Sequence, residues 1–496
     1  MIAKCAPIKD AVFLSARDSM CFYDVRRDGV VTLFDEYSDG RGETPEMLQL
    51  ATAESWCWED GYLPILHSGG DTLFAFGDEL FVKSGNGCFA YPGKRPLTQE
   101  EFANAAEQVS VFWNGWLKEG LVLPSVNAEI DCAWRSSLIQ ARCAFVGRHP
   151  SYGALIYRRM AHDSFPPATI AMCETLLQYG HHQEAIDIFS YYFKRFVRAD
   201  GSIDYYGTSV AEYGALLWLG ARLMKAVPQS ASDLSRIILP MIKQVLAMFD
   251  REDHIRTTEE TGLIAGSPEA DERKKVAIYY HNNYQLLRGL LELAPQMAAV
   301  GEPEFSCELR KHSAFLASSL RRSFEVRKAA IGGIPYATNQ TELVGDIQSD
   351  RNAIYANYRY HLETLETGLL PREDALAIIE YRENHNGEYC GMTRFTGRDG
   401  RRAVDNWPIA SYARGLLEYG EKKRFMRLLE TQLKNYMSPD VFTAYEQETI
   451  EGNPRHAFAP FCVPVQLAFP RMLAWSFCYT KWDGETIRWW GPDWQD

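Results

Sequence analysis

The feature that most constrains the fold is a long series of apolar segments of helical length that follows Pro96. Apolar residues recur at helical spacing, and Gly, Pro and Asp break the pattern at short intervals. Because short connections make consecutive helices antiparallel neighbours, we predict six helical hairpins that form an (α/α)6 toroid over residues 98–478. The fold class is therefore mainly α. The approximate segments are 99–119, 128–146, 164–180, 183–197, 208–225, 230–250, 276–299, 303–325, 350–367, 372–384, 405–420, 421–436 and 463–478.

The two ends of the chain follow a different pattern. Within residues 1–97, short apolar runs such as Val30–Phe34 and Thr72–Phe76 alternate with glycine-containing turns, which is typical of antiparallel strands. These residues are predicted to form a small β-rich N-terminal domain. Residues 479–496 return to strand-like alternation and are rich in tryptophan, so we expect a tail packed on the body.

Composition excludes several classes of function. The chain has 496 residues, 46% of them hydrophobic, and a formal charge of −13. Nucleic-acid binding relies on clustered Lys and Arg, so this charge argues against such a partner. The eleven cysteines include no Cys-x-x-Cys pair, which favours reduced thiols in the cytoplasm. No apolar run approaches the roughly 20 residues of a membrane span, so we expect a cytoplasmic protein with no membrane partner.

Two of the long predicted loops carry glutamates ahead of helices. Glu269 lies in the loop 251–275, before a helix predicted to start near Val276, and Glu446 lies in the loop 437–462. Long loops of an all-α protein often carry its functional residues. A loop glutamate before a helix can also be a simple N-terminal cap or dipole partner. The residues around each glutamate are therefore needed to distinguish a catalytic role from a helix cap.

The surroundings of both glutamates resemble the catalytic segments of the glucoamylase-like glycosidases, glycoside hydrolase family 15. Residues 443–447, Thr-Ala-Tyr-Glu-Gln, resemble the family's base segment before its last inner helix. Glu269 lies about twenty residues before Gly289, which matches the spacing of the family's acid. The family's Trp-Glu-Glu is absent, so Asp271 and Glu272 remain rivals of Glu269 for the acid role.

Two further segments resemble the sugar-binding parts of the same family. Residues 160–164, Met-Ala-His-Asp-Ser, are similar to a Trp-x-Arg-Asp-Ser motif whose aspartate binds hydroxyls of the terminal sugar. The resemblance assigns that role to Asp163, with His162 in the place of the arginine. Residues 405–408, Asp-Asn-Trp-Pro, are similar to a family turn at the start of a helix. Asp405 and Trp407 are thus candidate sugar contacts, with Trp407 placed to stack on a sugar face, and Tyr206 is a candidate residue at the rim.

These residues predict a glycoside hydrolase that cleaves a terminal sugar from a short oligosaccharide or glycoside with inversion. One protonated carboxyl gives a proton to the leaving oxygen, and one ionised carboxylate, roughly 6.5–9.5 Å away, activates water. The predicted acid is Glu269 and the predicted base is Glu446. This chemistry requires no metal and no organic cofactor. The sequence also contains no P-loop, dinucleotide-binding, serine-hydrolase or zinc-protease motif.

Two alternatives remain open at this point. The first is another enzyme on the same toroid, such as a uronyl hydrolase, a lyase or a phosphorylase. The second is a glycan-binding or scaffold protein without catalysis. The identity of the sugar and the oligomeric state are left open by the sequence.

Overall fold

The computed structural model describes residues 11–17, 19–35, 46–85, 87–205, 209–250, 262–269, 275–343, 351–396, 402–450, 457–459 and 461–490. Helices dominate the described chain. The α-helices are α1 Gln99–Glu119, α2 Ala128–Cys143, α3 Pro166–Gln178, α4 His182–Phe196, α5 Val210–Ala226, α6 Ala231–Phe249, α7 Tyr280–Ala299, α8 Pro303–Ile331, α9 Arg351–Tyr355, α10 His361–Leu365, α11 Arg372–Asn384, α12 Ile409–Glu418, α13 Lys422–Tyr436, α14 Val463–Gln466 and α15 Ala468–Phe477.

The strands are short and antiparallel, and most of them lie near the N-terminus. They are β1 Ala11–Leu14, β2 Cys21–Arg26, β3 Val30–Asp35, β4 Glu46–Gln49, β5 Trp56–Glu59, β6 Leu63–Ser68, β7 Asp71–Phe76, β8 Glu79–Ser84, β9 Gly87–Tyr91, β10 Arg95–Leu97, β11 Phe145–Val146, β12 His149–Pro150, β13 Glu388–Tyr389, β14 Met392–Thr396, β15 Arg402–Asp405, β16 Gln447–Thr449, β17 Ala457–Ala459, β18 Tyr479–Thr480 and β19 Thr486–Ile487.

The chain forms two compact units. The first comprises Met1–Asp163, Gln178–His181 and Leu429–Trp475, and the second comprises Ser164–Leu177, His182–Leu428 and Ser476–Asp496. The first unit therefore joins the N-terminal strands to α1, α2 and a segment near the C-terminus. The boundary at residues 97 and 98 that the sequence suggested stays a prediction.

In the first unit, β1 to β4 form one antiparallel sheet and β5 to β10 form a second, each with neighbours in sequence order. Their buried faces share one apolar cluster that includes Val12, Trp58, Leu73 and Val441. The tight turn between β2 and β3 requires a glycine. Gly29 has a φ of 90°, and a Cβ at this position would lie 2.1 Å from the carbonyl oxygen of Leu50.

The start of α1 follows from its first residues. The hydroxyl of Thr98 accepts a hydrogen bond from the backbone N–H of Glu101, and the carboxylate of Glu101 accepts one from the backbone N–H of Thr98. This reciprocal capping box satisfies two N–H groups that the helix itself cannot. Both ends of α1 lie where the sequence predicted them.

In the second unit, two glycines allow α5 and α7 to pack with their backbones in contact. A Cβ at Gly214 would lie 2.4 Å from the backbone of Gln285, and a Cβ at Gly289 would lie 2.4 Å from the carbonyl oxygen of Gly214. Any larger side chain would force the helices apart. This contact holds α5 and α7 close together in a fixed relation.

Three details differ from the sequence prediction. Helix α7 begins at Tyr280 rather than near Val276, because Ala277 forms a β-bridge with Gly266 before the helix starts. Asp405 does not open a helix, because it ends β15, which pairs with β14, and α12 starts at Ile409. The predicted helix 350–367 is interrupted by a π-helical turn at Ala356–Tyr360 between α9 and α10.

The C-terminal tail contacts other parts of the second unit. The ring of Trp489 packs against that of Phe425 at a centroid distance of 5.3 Å, and the backbone N–H of Trp482 donates to Glu418. Residues 491–496 lie outside the described chain. Within the described ranges, every helix is too short or too polar to span a lipid bilayer.

Candidate active site

A buried arginine in the second unit contacts three carboxylates. Nη2 of Arg359 donates to Oε1 of Glu212 at 2.6 Å, Nη1 donates to Oε2 of Glu269 at 3.4 Å, and Nε lies 2.6 Å from Oε1 of Glu363. The four residues are between 3% and 6% exposed. We call this group the Arg359 cluster. Its members come from α5, the loop before α7, the π-helical turn and α10.

Three consecutive polar residues at the start of α7 hold the loop that carries Glu269. Nε2 of His281 lies 2.9 Å from the carbonyl oxygen of Pro268, and Nδ2 of Asn282 donates to the carbonyl oxygen of Ser267 at 2.8 Å. Asn283 exchanges hydrogen bonds with the backbone N–H and C=O of Ile264. The loop backbone at 264–268 is thus fixed by buried side chains, and Glu269 follows directly.

Burial changes the protonation of two groups in and beside the Arg359 cluster. It raises the pKa of Glu363 to about 8, although the positive charge of Arg359 opposes this rise. Burial, together with repulsion from Arg359, lowers the pKa of His281 to about 3. At neutral pH, Glu363 is therefore largely protonated and His281 is a neutral imidazole.

Trp407 lies over the guanidinium of Arg359. The carbon of the guanidinium is 5.3 Å from the centroid of the Trp407 ring. The centroids of the Tyr358 and Trp407 rings are 5.8 Å apart, and the two rings are tilted relative to each other. Asp405 is fully buried, and its Oδ1 accepts a hydrogen bond of 2.9 Å from the backbone N–H of Trp407. The aspartate therefore fixes the turn that presents the tryptophan, whose side chain keeps partial exposure.

In the first unit, Glu446 is buried against a tyrosine and a cysteine. The hydroxyl of Tyr152 donates to Oε2 of Glu446 at 2.6 Å. Burial and the nearby charge of Glu446 raise the pKa of the Cys462 thiol well above its usual range, so the thiol stays protonated. The backbones of 152–154 and 461–463 are joined by a bridge between Gly153 and Cys462.

Buried amide side chains anchor the segment that leads to Glu446. Nε2 of Gln140 donates to the carbonyl oxygen of Val441 at 2.7 Å, and its Oε1 accepts from the hydroxyl of Thr443 at 2.8 Å. Oε1 of Gln466 accepts from the backbone N–H of Ala444 at 2.7 Å. These bonds come from α2 and α14. The loop is thus held as firmly as a regular element, which suits a residue that must keep one orientation.

The predicted sugar-binding pair His162 and Asp163 also lies in the first unit. The ring of His162 is 5.9 Å from that of Tyr152, and its side chain is partly exposed. Oδ1 of the buried Asp163 lies 2.7 Å from Nε2 of His149. Tyr152 therefore connects Glu446 with the segment 160–164 that the sequence selected.

The structure sorts the predicted residues into two groups. Glu269, Asp405 and Trp407 belong to the second unit, where Glu269 and Trp407 contact Arg359 and Asp405 holds the Trp407 turn. Glu446, His162 and Asp163 belong to the first unit. Tyr206, Asp271 and Glu272 lie outside the described residues. Within the described ranges, no group of three or more His, Cys, Asp and Glu residues is arranged to hold a metal ion.

The sequence analysis missed the residues that surround the two glutamates. These are Arg359, Glu363, His281 and Tyr152. Only the pair Arg359 and Glu363 carries a local signal, because residues four apart face each other on a helix. The remaining contacts join residues far apart in sequence, and these residues show no shared pattern in the chain.

Comparison with solved structures assigns the fold. The chain shares the fold of a glycosidase in its wild-type form at a TM-score of 0.51 and 12% identity, over 71% of this chain and 98% of that one. A variant of a glycosidase in complex with glucose matches at a TM-score of 0.50 with 12% identity and the same coverage. The mainly α, (α/α)6 glycosidase-like fold predicted from the sequence is thereby confirmed.

Other comparisons add little. A bacterial glucoamylase in complex with acarbose superposes at a TM-score of 0.49 and 9% identity, over 94% of this chain and 85% of that one, and does not strengthen the fold assignment. No family model matches the sequence, and no curated protein matches it at a significant level.

Proposed function

We propose that this protein is a glycoside hydrolase that removes a terminal sugar from a short oligosaccharide or glycoside with inversion. The observation that carries the proposal is a buried glutamate, Glu269, held by Arg359 beside Trp407 on a glycosidase fold. In the proposed reaction, Glu269 is the general acid and Glu446 is the general base.

Charge balance in the Arg359 cluster supports a proton on Glu269. Arg359 carries one positive charge, and Glu363 is largely neutral at pH 7 because burial raises its pKa. Glu212 and Glu269 would together bring two negative charges to one guanidinium. A net charge in a buried site is unfavourable, and a single proton shared between these two carboxyls would bring the net charge of the cluster to zero. A general acid needs this protonated state before it donates to the leaving oxygen.

Glu446 has the surroundings of a general base. The hydroxyl of Tyr152 donates to one carboxylate oxygen, which orients the group that would accept a proton from water. The anchors on Val441, Thr443 and Ala444 keep the segment in place. The Cys462 thiol stays neutral because its pKa is raised, so it adds no competing negative charge.

The sugar contacts are also part of the proposal. Trp407 is the stacking surface for a sugar face, because aromatic rings of partial exposure suit the apolar faces of pyranosides. Asp163 and His162 bind hydroxyls of the terminal sugar. Asp405 supports the Trp407 turn from a fully buried position rather than contacting sugar. Tyr206 remains a candidate at the rim.

A panel of synthetic α- and β-glycosides tests the proposal. The expected result is release of a terminal sugar from one anomeric series, with NMR showing the opposite anomer of the substrate first. Retention of the anomeric form would contradict the inverting mechanism. A requirement for phosphate would indicate a phosphorylase, and an absorbing double bond in the product would indicate a lyase. Hydrolysis of unsaturated uronides alone would indicate a uronyl hydrolase. Binding of sugars with no turnover would indicate a glycan-binding protein.

A further inference from the structure

We infer that Arg359 is the positioning residue that orients the carboxyl group of Glu269. The catalytic part of this inference rests on the proposed function, whereas the structural part does not. Arg359 itself is covered by Trp407 and by carboxylates, so it acts through Glu269 rather than on a sugar.

The planar, forked shape of the guanidinium allows it to hold several carboxyl groups at once. Its three nitrogens lie in one plane, and each is close to a different glutamate: Nη2 donates to Glu212, Nη1 donates to Glu269 and Nε lies 2.6 Å from Oε1 of Glu363. An ammonium group is a compact point charge without this fork. A lysine at position 359 would keep the positive charge but could not hold three carboxylates in fixed directions.

Two of the three partners act as anchors for the third. Glu212 and Glu363 each lie 2.6 Å from a guanidinium nitrogen, whereas Glu269 is 3.4 Å from its nitrogen. The two glutamates with short contacts, Glu212 and Glu363, lie on helices α5 and α10, whereas Glu269 lies in a loop. The helices therefore fix the arginine, and the arginine in turn limits the positions that the loop carboxyl can take.

The backbone and the packing around Arg359 add to this rigidity. The residue lies in the π-helical turn Ala356–Tyr360, a local helix form that is common at functional sites. Its side chain is 4% exposed, and the Trp407 ring covers one side of it. Arg359 therefore has little freedom to change rotamer when substrate binds.

Comparison of Arg359→Lys with Arg414→Lys tests the inference in the full-length chain. Arg414 is a matched control because it is equally buried, contacts two glutamates, Glu174 and Glu366, and lies 4.7 Å from the Trp218 ring. We expect Arg359→Lys to lower kcat by about 100-fold, the loss typical of a misplaced catalytic group. KM should change by less than about threefold, because ground-state binding is untouched.

The control defines the outcome that would overturn the inference. Arg414→Lys should lower Tm but leave kcat per folded molecule within about twofold of wild type. Equal losses of kcat in both variants would mean that any buried arginine of this unit has the same effect. A kcat of Arg359→Lys equal to that of wild type would contradict the inference that Arg359 positions Glu269.

A thermal cycle separates this inference from the proposed function. Tm is measured for wild type, Arg359→Lys, Glu269→Gln and the double variant. If Arg359 holds Glu269, the two Tm shifts will not add, because each substitution weakens the same contact. This result needs no substrate, so it stands even if no glycoside is hydrolysed and the proposed function fails. Additive shifts would overturn the inference.

A second variant is needed in case Arg359→Lys does not fold. Glu212→Gln removes one anchor charge and leaves both other carboxylates on Arg359. We expect a smaller fall in kcat, about tenfold, with KM again nearly constant. No change in kcat after loss of this 2.6 Å ion pair would mean that the anchors do not orient the arginine.

Discussion

Tyr152 donates its hydroxyl hydrogen to Glu446 across 2.6 Å, and both side chains are buried. The tyrosine thereby fixes one oxygen of the carboxylate that we propose as the base. Its ring also lies 5.9 Å from that of His162, so one side chain contacts both the proposed base and the predicted sugar-binding segment.

Substitution Tyr152→Phe should lower kcat by about tenfold or more with a small change in KM, because the carboxylate loses the donor that orients it. The free energy of unfolding should fall by about 1–2 kcal/mol, since a buried acceptor loses its hydrogen bond. Steady-state kinetics and denaturant unfolding measure both. Tyr179→Phe is the control, because its buried hydroxyl donates to the Pro470 carbonyl and to no candidate catalytic group. A fall in kcat of the same size in Tyr179→Phe would contradict the prediction.

Substitution Glu446→Gln should lower kcat by at least about 10³-fold and leave sugar affinity largely intact, because an amide cannot accept the proton of the attacking water. The amide oxygen can still accept from Tyr152, so the fold is retained. Calorimetric titration with a non-hydrolysed sugar analogue measures affinity in the variant. Turnover close to that of wild type would remove Glu446 from the base role.

The pH dependence of kcat/KM should report Glu363. Burial raises its pKa to about 8, so above that pH it adds a negative charge beside Arg359 and Glu269. We expect wild-type kcat/KM to fall as the pH rises through about 8. Glu363→Gln mimics the protonated carboxyl, so it should keep most activity near pH 7 and lose this alkaline decline. An identical alkaline decline in the variant would assign it to another group.

Asp24 should make the stability of the first unit depend on pH. Burial raises its pKa to about 7, against opposing attraction from Arg26, and its Oδ1 has no hydrogen-bond partner among the described residues. A folded-state pKa above the unfolded value of about 4 means that the proton binds more tightly in the native state. The contribution of Asp24 to stability is thus highest below about pH 4 and is lost as the pH rises towards 7, by up to about 4 kcal/mol.

Substitution Asp24→Asn should remove this dependence, so that the variant is more stable than wild type at pH 8 and similar at pH 4. Urea unfolding between these pH values provides the measurement. Asp28→Asn is the control, because Asp28 is exposed and paired with Arg26. A larger change of pH dependence in Asp28→Asn than in Asp24→Asn would show that the cause had been assigned to the wrong residue.

Substitution Gly289→Ala should lower the free energy of unfolding by about 1–3 kcal/mol, the usual cost of overpacking. The added Cβ would lie 2.4 Å from the carbonyl oxygen of Gly214, and backbone cannot yield as a side chain does. Gly115→Ala is the matched control in α1, where a Cβ meets nothing within 4 Å and alanine should stabilise the helix. Equal stabilities of the two variants would contradict the close contact of α5 and α7.

The sequence predicts helices well where the signals are local. Helix α1 was predicted at both ends, and its start has a local cause, because Thr98 and Glu101 form a capping box just before an amphipathic run. Asp405 was misplaced in a helix because an aspartate before a tryptophan and a proline is also a common helix start. Its strand is specified by pairing with β14, and such pairing leaves no mark in the segment itself.

The candidate site was predictable only in part. The loop glutamates stand out because they lie between predicted helices, but their partners do not. Glu212 and Arg359 are 147 residues apart and meet because α5 and the π-helical turn are neighbours in space. Charged residues are common in this chain, so only tertiary packing distinguishes these from the solvated ones.

The π-helical turn has a consequence for any redesign of this enzyme candidate. A π turn accommodates one more residue than a regular turn, and each residue of an α-helix advances the side-chain direction by about 100°. Shortening the segment by one residue would restore a regular helix, yet it would rotate the side chains on one side of the cut away from their partners. Arg359 and the residues before Ala356 could not both keep their present directions. The extra residue therefore sets the rotation between the side chains before the π turn and those after it. A design that transfers this helix to another protein must keep that residue.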